Sequence, residues 1–241
     1  MKIALAGYGK MGKTIEQVAL ERGHEISYKI SSINISDWEK ISATNTDLVI
    51  EFSKPDTVLK NMQHCFDKNI PIVVGTTGWY KELKEVEKVV NRDHKSLLYA
   101  SNFSIGVNLF FTLNKELSKI MSSFSQYNAS IEEIHHIQKL DKPSGTAITL
   151  AEGIVENHKK YNSWKLDEVS EPNELLIRSV RSDEVPGTHI IQYESEIDLL
   201  EIKHEAKSRM GFALGSIIAA EWLLGKQGFF NISDVLKVNI G

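Results

Sequence analysis

The sequence predicts a two-domain α/β fold, in which a parallel sheet flanked by helices is followed by an α+β domain built on a mixed or antiparallel sheet. Over roughly the first hundred residues, short apolar runs alternate with helical patterns, which is typical of a parallel sheet covered on both faces. Beyond that point strand-like stretches dominate, interrupted by one helix that begins near Ser144. These observations predict one domain formed by residues 1–104 plus 212–241 and a second formed by residues 105–211.

The N-terminal elements form a recognisable unit. Lys2–Ala6 is a short apolar strand that ends directly in the glycine motif Gly7–Gly12. A helical pattern follows and stops at Gly23, a common helix-ending residue, and Glu25–Ile30 is a second strand. Strand, glycine turn, helix and strand within about 30 residues form a βαβ unit.

The remaining elements follow from the same apolar periodicities. In the first domain the predicted strands are Asp47–Phe52, Ile70–Val74 and Ser96–Ala100, and the predicted helices are Pro55–Lys68 and Lys81–Asn91. Later in the chain the predicted strands are Ala129–Ile137, Leu175–Val180, His189–Ser195 and Leu199–His204. Helices are predicted over Gly106–Ser122 and Phe212–Leu224, and Gly228–Val235 is predicted to be a short tail.

The composition restricts the classes of function. A net charge of −4 provides no positive field for a polyanion, so we expect no nucleic-acid partner. The single cysteine, Cys65, excludes an intramolecular disulfide and fits a reducing compartment. No apolar run is long enough for a membrane span and no secretory signal is evident. These features predict a soluble, cytoplasmic protein with no membrane contact.

The glycine motif predicts a Rossmann dinucleotide-binding domain. Gly7 permits a tight turn, Gly9 lets the backbone approach a pyrophosphate, and Gly12 allows the helix to pack closely on the strand. The pyrophosphate then lies at the positive end of the following helix. A glycine-rich turn without a ligand is the alternative. The position of the motif, after a strand and before a helix, favours a dinucleotide, and the residues between the glycines, Tyr8, Lys10 and Met11, belong to the same predicted site.

Polar loops after the other strands extend this prediction, because ligands bind outside the carboxyl ends of parallel strands. The residues that gather there are Phe52, Ser53, Gly75, Thr76, Thr77, Ser101, Asn102, Phe103 and Ser104. At the end of the second strand, where an NAD-specific site has an acidic residue, the chain has Ser31 and Ser32 with Lys29 just before them, and nothing acidic. This absence favours NADPH, with NADH also accepted; alternatively, Lys29 is a solvated surface residue.

A second polar segment predicts the substrate site. His135, His136 and Lys139 lie between a predicted strand and a helix that Ser144 caps. The unpaired amides at the helix start, those of Gly145 and Thr146, form a site for a carboxylate, and Lys139 adds a full positive charge. The residues therefore predict a pocket for a small dianionic substrate.

Two other interpretations of the histidine pair compete with this one. Adjacent histidines on a strand point to opposite faces, and zinc ligands usually stand farther apart in sequence. No cysteine lies near His135 and His136, so we expect no metal. They could also be ordinary polar strand residues.

The block Glu133–Ala147 resembles the signature of the 4-hydroxy-tetrahydrodipicolinate reductase family. The resemblance rests on Glu133-Ile134-His135-His136-x-x-Lys139-x-Asp141-x-Pro143-Ser144-Gly145-Thr146-Ala147. The N-terminal glycine loop, Gly75–Gly78, Ser101–Ser104 and Ser208-Arg209-Met210 resemble the family in order and spacing. Lys142 departs from it, since the family usually has a small residue there, and the segment Ser31–Thr46 is short.

The resemblance implies an NADPH- or NADH-dependent hydride transfer to a cyclic unsaturated imine dicarboxylate in lysine and diaminopimelate biosynthesis. It assigns acid roles to His135 and Lys139 and substrate contacts to His136, Ser144, Gly145 and Thr146. It also implies a homotetramer formed through the sheets of the second domain.

Two other functions stay open at this point. Another two-domain Rossmann dehydrogenase of amino-acid metabolism would keep the nucleotide loop, although it has no need of the His-His-Lys block. A non-catalytic NAD(P)H-sensing protein would tolerate the loss of His135 and Lys139.

Overall fold

The chain divides into two compact units in the computed structural model, which describes residues 1–182 and 185–236. One unit consists of Met1–Ile105 with Arg209–Gly241, and the other of Gly106–Ser208. No helix within the described ranges is long and apolar enough to cross a membrane.

The first unit contains a sheet of six parallel strands. Its strands are β1 (Lys2–Ala6), β2 (Glu25–Ile30), β3 (Leu48–Glu51), β4 (Ile72–Val74), β5 (Ser96–Tyr99) and β11 (Gly228–Asn231). Its helices are α1 (Lys10–Glu21), α2 (Pro55–Asp67), α3 (Leu83–Arg92), α6 (Met210–Leu223) and α7 (Ile232–Leu236), with short 3-10 turns at Ile35–Lys40 and Tyr80–Glu82.

The strand order of this sheet is β11-β5-β4-β3-β1-β2, and every neighbouring pair is parallel. The order reverses at β1, whose neighbours are β2 on one side and β3 on the other. Such a reversal opens a crevice at the carboxyl ends of the strands, where ligands bind in open α/β sheets. Apolar clusters cover both faces of the sheet: α1 and α6 pack on one face and α2 on the other. Cys65 on α2 is fully buried in the apolar cluster between α2 and the sheet.

The second unit is an α+β structure. Its helices are α4 (Ile105–Met121), whose first residue still belongs to the first unit, and α5 (Gly145–Asn157). Its strands are β6 (Asn128–His135), β7 (Ser163–Leu166), β8 (Glu174–Arg181), β9 (Thr188–Glu194) and β10 (Leu199–Glu205).

The sheet of the second unit is mixed, with the order β10-β9-β6-β8-β7. β9 runs antiparallel to both β6 and β10, whereas β6, β8 and β7 run parallel to one another. Residues of β6 alternate between the two faces, so Ile131, Glu133 and His135 share the face on which α4 and α5 pack. This alternation brings polar side chains from the ends of several strands beneath the start of α5.

Two short elements depart from the sequence prediction. β7 was not predicted, because it is only four residues long and its side chains are half-buried or exposed. Gly228–Val235 was predicted to be a tail, which was wrong. Its first half forms β11, which extends the parallel sheet beside β5, and its second half begins α7.

Candidate functional site

A cleft of about 420 Å³ opens in the first unit at the carboxyl ends of β1, β2 and β3. This is the position that the reversal in strand order predicts for a ligand. Of the predicted cofactor residues, Gly7, Tyr8, Gly9, Ser31, Phe52 and Ser53 line the cleft. It is also lined by Ser32, which the sequence placed at the end of the second strand, and by residues that the sequence did not single out: Ala6, Ile30, Ile35, Trp38, Lys54, Thr57 and Asn61.

The three glycines of the loop meet different surroundings. A Cβ atom at Gly7 would lie 2.0 Å from the carbonyl oxygen of Phe52, and one at Gly12 would lie 2.4 Å from the carbonyl oxygen of Gly7. Both glycines are therefore required by backbone packing, and Gly7 also has a φ of +94°. A Cβ atom at Gly9 would have no neighbour within 4 Å. The open space at Gly9, before the first turn of α1, fits the close approach of a cofactor pyrophosphate.

The loops that follow β3 and β4 are joined by hydrogen bonds and ring contacts. The amide of Ser53 donates to Oγ1 of Thr76 over 2.8 Å. A Cβ atom at Gly75 would lie 2.2 Å from the Phe52 ring, so only glycine accommodates that ring. The rings of Phe52 and Phe103 are 5.7 Å apart. These contacts link the cleft wall to the turns after β4 and β5.

The remaining predicted cofactor residues do not line the cleft. Thr77 and Ser101 are exposed, Asn102 is half-buried and accepts a hydrogen bond from the Ser104 amide over 2.8 Å, and Ser104 is buried. Met11 packs against the apolar cluster beneath α1. Thr77, Ser101, Asn102 and Ser104 lie in loops at the same sheet edge, whereas Met11 is part of α1. The contact of these residues with a cofactor stays a prediction.

Lys29 forms a contact that the sequence did not reveal. Its ammonium nitrogen is 2.5 Å from a carboxylate oxygen of Glu16 on α1 and 5.1 Å from the centre of the Tyr8 ring. The Tyr8 hydroxyl donates a hydrogen bond to the same carboxylate. Lys29 is therefore an ion-paired residue rather than a freely solvated cation.

A buried carboxyl group, that of Glu51 on β3, lies beside the cleft. Glu51 is fully buried, and one of its oxygens accepts hydrogen bonds from the amide of Ser53 and from the side chain of Asn61. Burial raises the pKa of Glu51, against the hydrogen bonds from Ser53, Thr76 and Asn61 that lower it. The sequence signal for this residue was a single acidic position at the end of an apolar strand.

In the second unit, strand register forms a row of polar side chains. Glu133 on β6 pairs with Ser179 on β8 and with His189 on β9, and His135 pairs with Arg181 two residues farther along. These five side chains come from the carboxyl-terminal end of β6 and from the neighbouring strands β8 and β9. The sequence analysis named only His135 from this row as catalytic.

The Glu133 carboxylate is the centre of this row. It is fully buried and accepts hydrogen bonds from the amide of Ser144, over 3.0 and 3.1 Å, and from the hydroxyl of Ser179 over 2.5 Å. The guanidinium of Arg181 lies 3.3 Å away. Burial by itself raises the pKa of Glu133, but the hydrogen bonds from Ser144 and Ser179 outweigh it and lower the pKa overall.

His135 and His189, which lie beside this carboxylate, are both buried, and their rings are near each other. Their ring centres are 5.0 Å apart, and Nδ1 of His135 is 3.5 Å from Glu133. Burial lowers the pKa of His135, although the charge of Glu133 acts in the opposite direction. Burial, with the nearby His135, lowers the pKa of His189 to about 3. Both rings are therefore neutral at pH 7 in the free protein.

Ser144 caps α5 as the sequence predicted. Its hydroxyl oxygen accepts a hydrogen bond from the amide of Ala147 over 3.2 Å and lies 3.2 Å from Nε2 of His189. A helix has no internal acceptor for its first amides, so those of Gly145 and Thr146 are directed out of the helix start. The helix dipole adds to their attraction for an anion.

Arg181 holds the loop that carries Lys139. Its guanidinium donates hydrogen bonds to the backbone carbonyls of Lys139, over 3.2 Å, and Asp141, over 2.5 Å. The Lys139 ammonium in turn contacts both carboxylate oxygens of Asp141, at 2.7 and 2.8 Å. Arg181 thus fixes the loop backbone, while the Lys139 side chain is paired with the exposed carboxylate of Asp141.

The other predicted residues of this segment are placed as follows. His136 is half-buried just beyond β6, and its carbonyl oxygen accepts a hydrogen bond from the Lys139 amide over 3.1 Å. Lys142, the departure from the family pattern, forms an ion pair of 3.0 Å with Asp167. The other oxygen of Asp167 accepts a hydrogen bond from the Ser179 amide over 3.2 Å, so this ion pair lies beside the polar row.

One combination of these side chains has the spacing of a metal site. Ligand atoms of Glu133, His135 and His189 lie within 4.8 Å of one another. However, a cation there would face the Arg181 guanidinium and would compete with the hydrogen bonds that Ser144 and Ser179 already donate to the carboxylate. The arrangement serves a buried hydrogen-bonded carboxylate better than a metal ion.

Two family models match the chain and together cover nearly all of it. Residues 1–103 match "Dihydrodipicolinate reductase, N-terminus", and residues 106–236 match "Dihydrodipicolinate reductase, C-terminus". The chain is 48% identical over 241 residues to 4-hydroxy-tetrahydrodipicolinate reductase of Christiangramia forsetii, with 98% of each protein covered. It is 30% identical over 268 residues to the enzyme of the same name from Neisseria gonorrhoeae, with 99% of this chain and 98% of the relative covered.

Solved structures share the fold. The dipicolinate-bound dihydrodipicolinate reductase from Paenisporosarcina sp. TG-14 superimposes with a TM-score of 0.77 at 21% identity, covering 96% of this chain and 97% of that one. A diaminopimelate dehydrogenase of Corynebacterium glutamicum reaches a TM-score of 0.52 at 11% identity, covering 100% and 99% of the two chains.

Proposed function

The chain belongs to the dihydrodipicolinate reductase family, and from this premise we propose which of its residues carry out the family's reaction. That reaction is the NAD(P)H-dependent reduction of 4-hydroxy-tetrahydrodipicolinate to tetrahydrodipicolinate in lysine and diaminopimelate biosynthesis, in which the 4-hydroxyl group leaves as water. We assign cofactor binding to the first unit and substrate binding to the second.

The observation that carries the assignment is the buried Glu133 carboxylate. It contacts the start of α5 through the Ser144 amide and lies 3.5 Å from the ring of His135. Strand end and helix start are therefore held together by one group. This arrangement supports a site in which the Gly145 and Thr146 amides receive a substrate carboxylate close to His135.

Lys139 provides the positive charge for a dicarboxylate substrate. It exchanges its ion pair with Asp141 for one with the substrate, because Asp141 is largely exposed and keeps its hydration when released. The solved relative with bound dipicolinate, a planar aromatic dicarboxylate, supports a ligand of this charge and shape. The same ammonium stabilises the negative charge that hydride addition creates on the imine.

His135 becomes an acid when the substrate binds. Burial lowers its pKa in the free protein, whereas a dianion beside the ring favours the imidazolium form. Substrate binding thus charges His135 and prepares it to deliver a proton to the ring nitrogen. A dihydronicotinamide cofactor, when bound, would supply the hydride.

Lys139→Ala tests this proposal. We expect a higher KM for the substrate and a lower kcat, with kcat/KM reduced by at least about 100-fold, because one charge serves both binding and transition-state stabilisation. The measurement is NADH or NADPH oxidation with substrate generated from pyruvate and aspartate semialdehyde.

Lys142→Ala is the matched control, because its ammonium is paired with Asp167 instead. Its kcat/KM should stay within about threefold of the unmodified chain. Equal effects of the two substitutions would contradict the role of Lys139, and absence of turnover in the unmodified chain would favour the sensor alternative.

We also propose that the chain is a cytoplasmic homotetramer. The family resemblance implies assembly through the second sheet. On the face opposite α4 and α5, that sheet carries Ile134 and Ile190, which are half-buried, and Val180, which is 40% exposed. A mass of about four chains by light scattering supports the assembly, and a monomer of 27.2 kDa contradicts it.

A further inference from the structure

The charge of Lys29 is neutralised inside the first unit by Glu16. Glu16 lies on α1, one turn beyond the glycine loop, and its carboxylate contacts Lys29 at 2.5 Å and accepts a hydrogen bond from Tyr8. The Lys29 hydrogen bond, followed by that of Tyr8, lowers the pKa of Glu16, so the carboxylate is ionised at pH 7. The net charge of the group is zero.

This group lies at the part of the cleft that reads the adenosine ribose. In Rossmann sheets the end of the second strand contacts the 2′ position of that ribose. Tyr8 and Ser31 line the cleft, and Lys29 is the only cation of β2, two residues before Ser31. Lys29 and Glu16 do not line the cleft themselves, but the Lys29 ammonium lies 5.1 Å from the centre of the Tyr8 ring, so the pair lies directly behind the cleft wall at this end.

The loop after β2 repeats the same pattern of internal pairing. The amide and hydroxyl of Ser31 both donate to Oδ1 of Asn34, over 2.8 Å. The side-chain amide of Asn34 donates to Asp37, which is paired with Lys40 at 2.7 Å. Near this end of the cleft, the Glu16 carboxylate is thus paired with Lys29 and the Asp37 carboxylate with Lys40.

We infer that Glu16 makes the chain prefer NADH to NADPH, by pairing with Lys29 and by adding a negative charge behind the Tyr8 wall of the cleft. A 2′-phosphate, a dianion, would have to compete with Glu16 for the ammonium and would be repelled by the carboxylate itself. A 2′-hydroxyl is uncharged and meets neither penalty. This preference is opposite to the one that Lys29 alone predicts. The inference rests on the proposed placement of the dinucleotide in the first unit.

Glu16→Gln is the direct test, because glutamine keeps the shape and can still accept the Tyr8 hydrogen bond while losing the charge. We expect the ratio of kcat/KM with NADPH to kcat/KM with NADH to rise about tenfold, the effect of one charge-assisted contact to phosphate. Glu21→Gln is the control, since Glu21 lies at the end of the same helix and accepts only an exposed hydrogen bond from Gln17. Its ratio should not change.

The double variant E16Q/K29M identifies the cation. The gain with NADPH should disappear, because no freed ammonium remains. A ratio in E16Q within twofold of the unmodified chain would overturn the inference, and so would a gain that persists in E16Q/K29M.

Dissociation constants of NADH and NADPH, measured by nucleotide fluorescence without substrate, give the same comparison independently of turnover. Loss of turnover in every variant, with the binding ratio shifted as expected, would contradict the catalytic assignment while supporting this inference. An unshifted ratio of dissociation constants together with normal turnover would overturn this inference while supporting the catalytic assignment.

Discussion

Glu133 is a fully buried carboxylate that can position the side chains of the candidate site without contacting the substrate itself. It contacts Ser144 at the start of α5 and Ser179 on the neighbouring strand, and it lies 3.8 Å from Nε2 of His189. A buried charge is tolerated only when such donors surround it. Burial lowers the pKa of both neighbouring histidines against the charge of Glu133, so they are neutral at pH 7 before any ligand arrives.

His189 predicts a pH dependence of stability. Its pKa is about 3 when folded and about 6.5 when unfolded, so the unfolded chain binds more protons between these values. Stability is therefore fully present above pH 6.5 and is lost as the pH falls towards 3. From His189 alone, the free energy of unfolding should fall by about 2 kcal/mol between pH 7 and pH 5.

Urea denaturation of the unmodified chain and of His189→Gln, at both pH values, measures this effect. Glutamine does not titrate, so between pH 7 and pH 5 the free energy of unfolding of the variant should fall by about 2 kcal/mol less than that of the unmodified chain, whatever its value at pH 7. Equal losses in the two proteins would show that His189 is protonated in the folded chain.

At the scale of single residues, the sequence predicted the groups that stand in one continuous segment. His135, Lys139 and Ser144 lie within ten residues of each other, so their grouping follows from local geometry. Their supporting partners come from elsewhere in the chain: Arg181 is 48 positions from Glu133 and His189 is 45 from Ser144. Only strand register decides such pairings, and register was not predictable from one sequence.

At the scale of elements, the glycines of the N-terminal loop meet two different requirements, backbone packing and space for a ligand, which the sequence motif alone does not distinguish. Gly7 and Gly12 satisfy the backbone of the free protein, since a Cβ atom at either would lie within 2.4 Å of a carbonyl oxygen. Gly9 has open space and a φ of −91°, which other residues adopt without strain. Its lack of a side chain is therefore needed by the ligand rather than by the fold.

Gly9→Ala should thus leave the thermal midpoint within about 2 °C of the unmodified chain while weakening NADH binding at least about tenfold, because the added methyl occupies the space for the pyrophosphate. Differential scanning fluorimetry and nucleotide fluorescence measure the two effects. Gly12→Ala is the contrasting variant, and its clash with Gly7 should lower the midpoint or prevent folding. Unchanged NADH affinity in Gly9→Ala would contradict the placement of the pyrophosphate.

Most elements were predictable because their apolar residues recur with a helix or strand period. The strands β1 and β2 have the predicted bounds, and α1 ends before Gly23, whose φ is +78°. β7 and β11 were not predictable in this way, since each has four residues without a clear buried stripe. Their existence depends on the neighbouring strands β8 and β5, which offer free edges.

At the scale of the whole molecule, the first unit is formed by two separate parts of the chain. The Cβ position of Gly211 lies 3.7 Å from Oγ of Ser104, so the chain leaves and re-enters this unit at nearly the same point. Arg22 at the end of α1 forms two hydrogen bonds with Glu221 on α6, over 2.8 and 2.9 Å. Each unit also has apolar clusters of its own.

Replacing residues 106–208 by a short Gly-Ser linker should therefore leave a folded protein that binds NADH but has no reductase activity. The close ends need only a few linker residues, and the cores of the first unit keep their own residues. Circular dichroism and nucleotide fluorescence measure the outcome. A collapsed or unfolded product would show that the second unit is needed for the first to fold.

The late position of β11 has a consequence for synthesis on the ribosome. The sheet that starts with the first residues of the nascent chain receives its sixth strand only after more than two hundred further residues have been translated. Until then the edge of β5 has no strand beside it and is open to pairing with other chains. A chain terminated after Leu223 and before Gly228 would thus have a complete second unit, while the sheet of its first unit would carry an aggregation-prone edge.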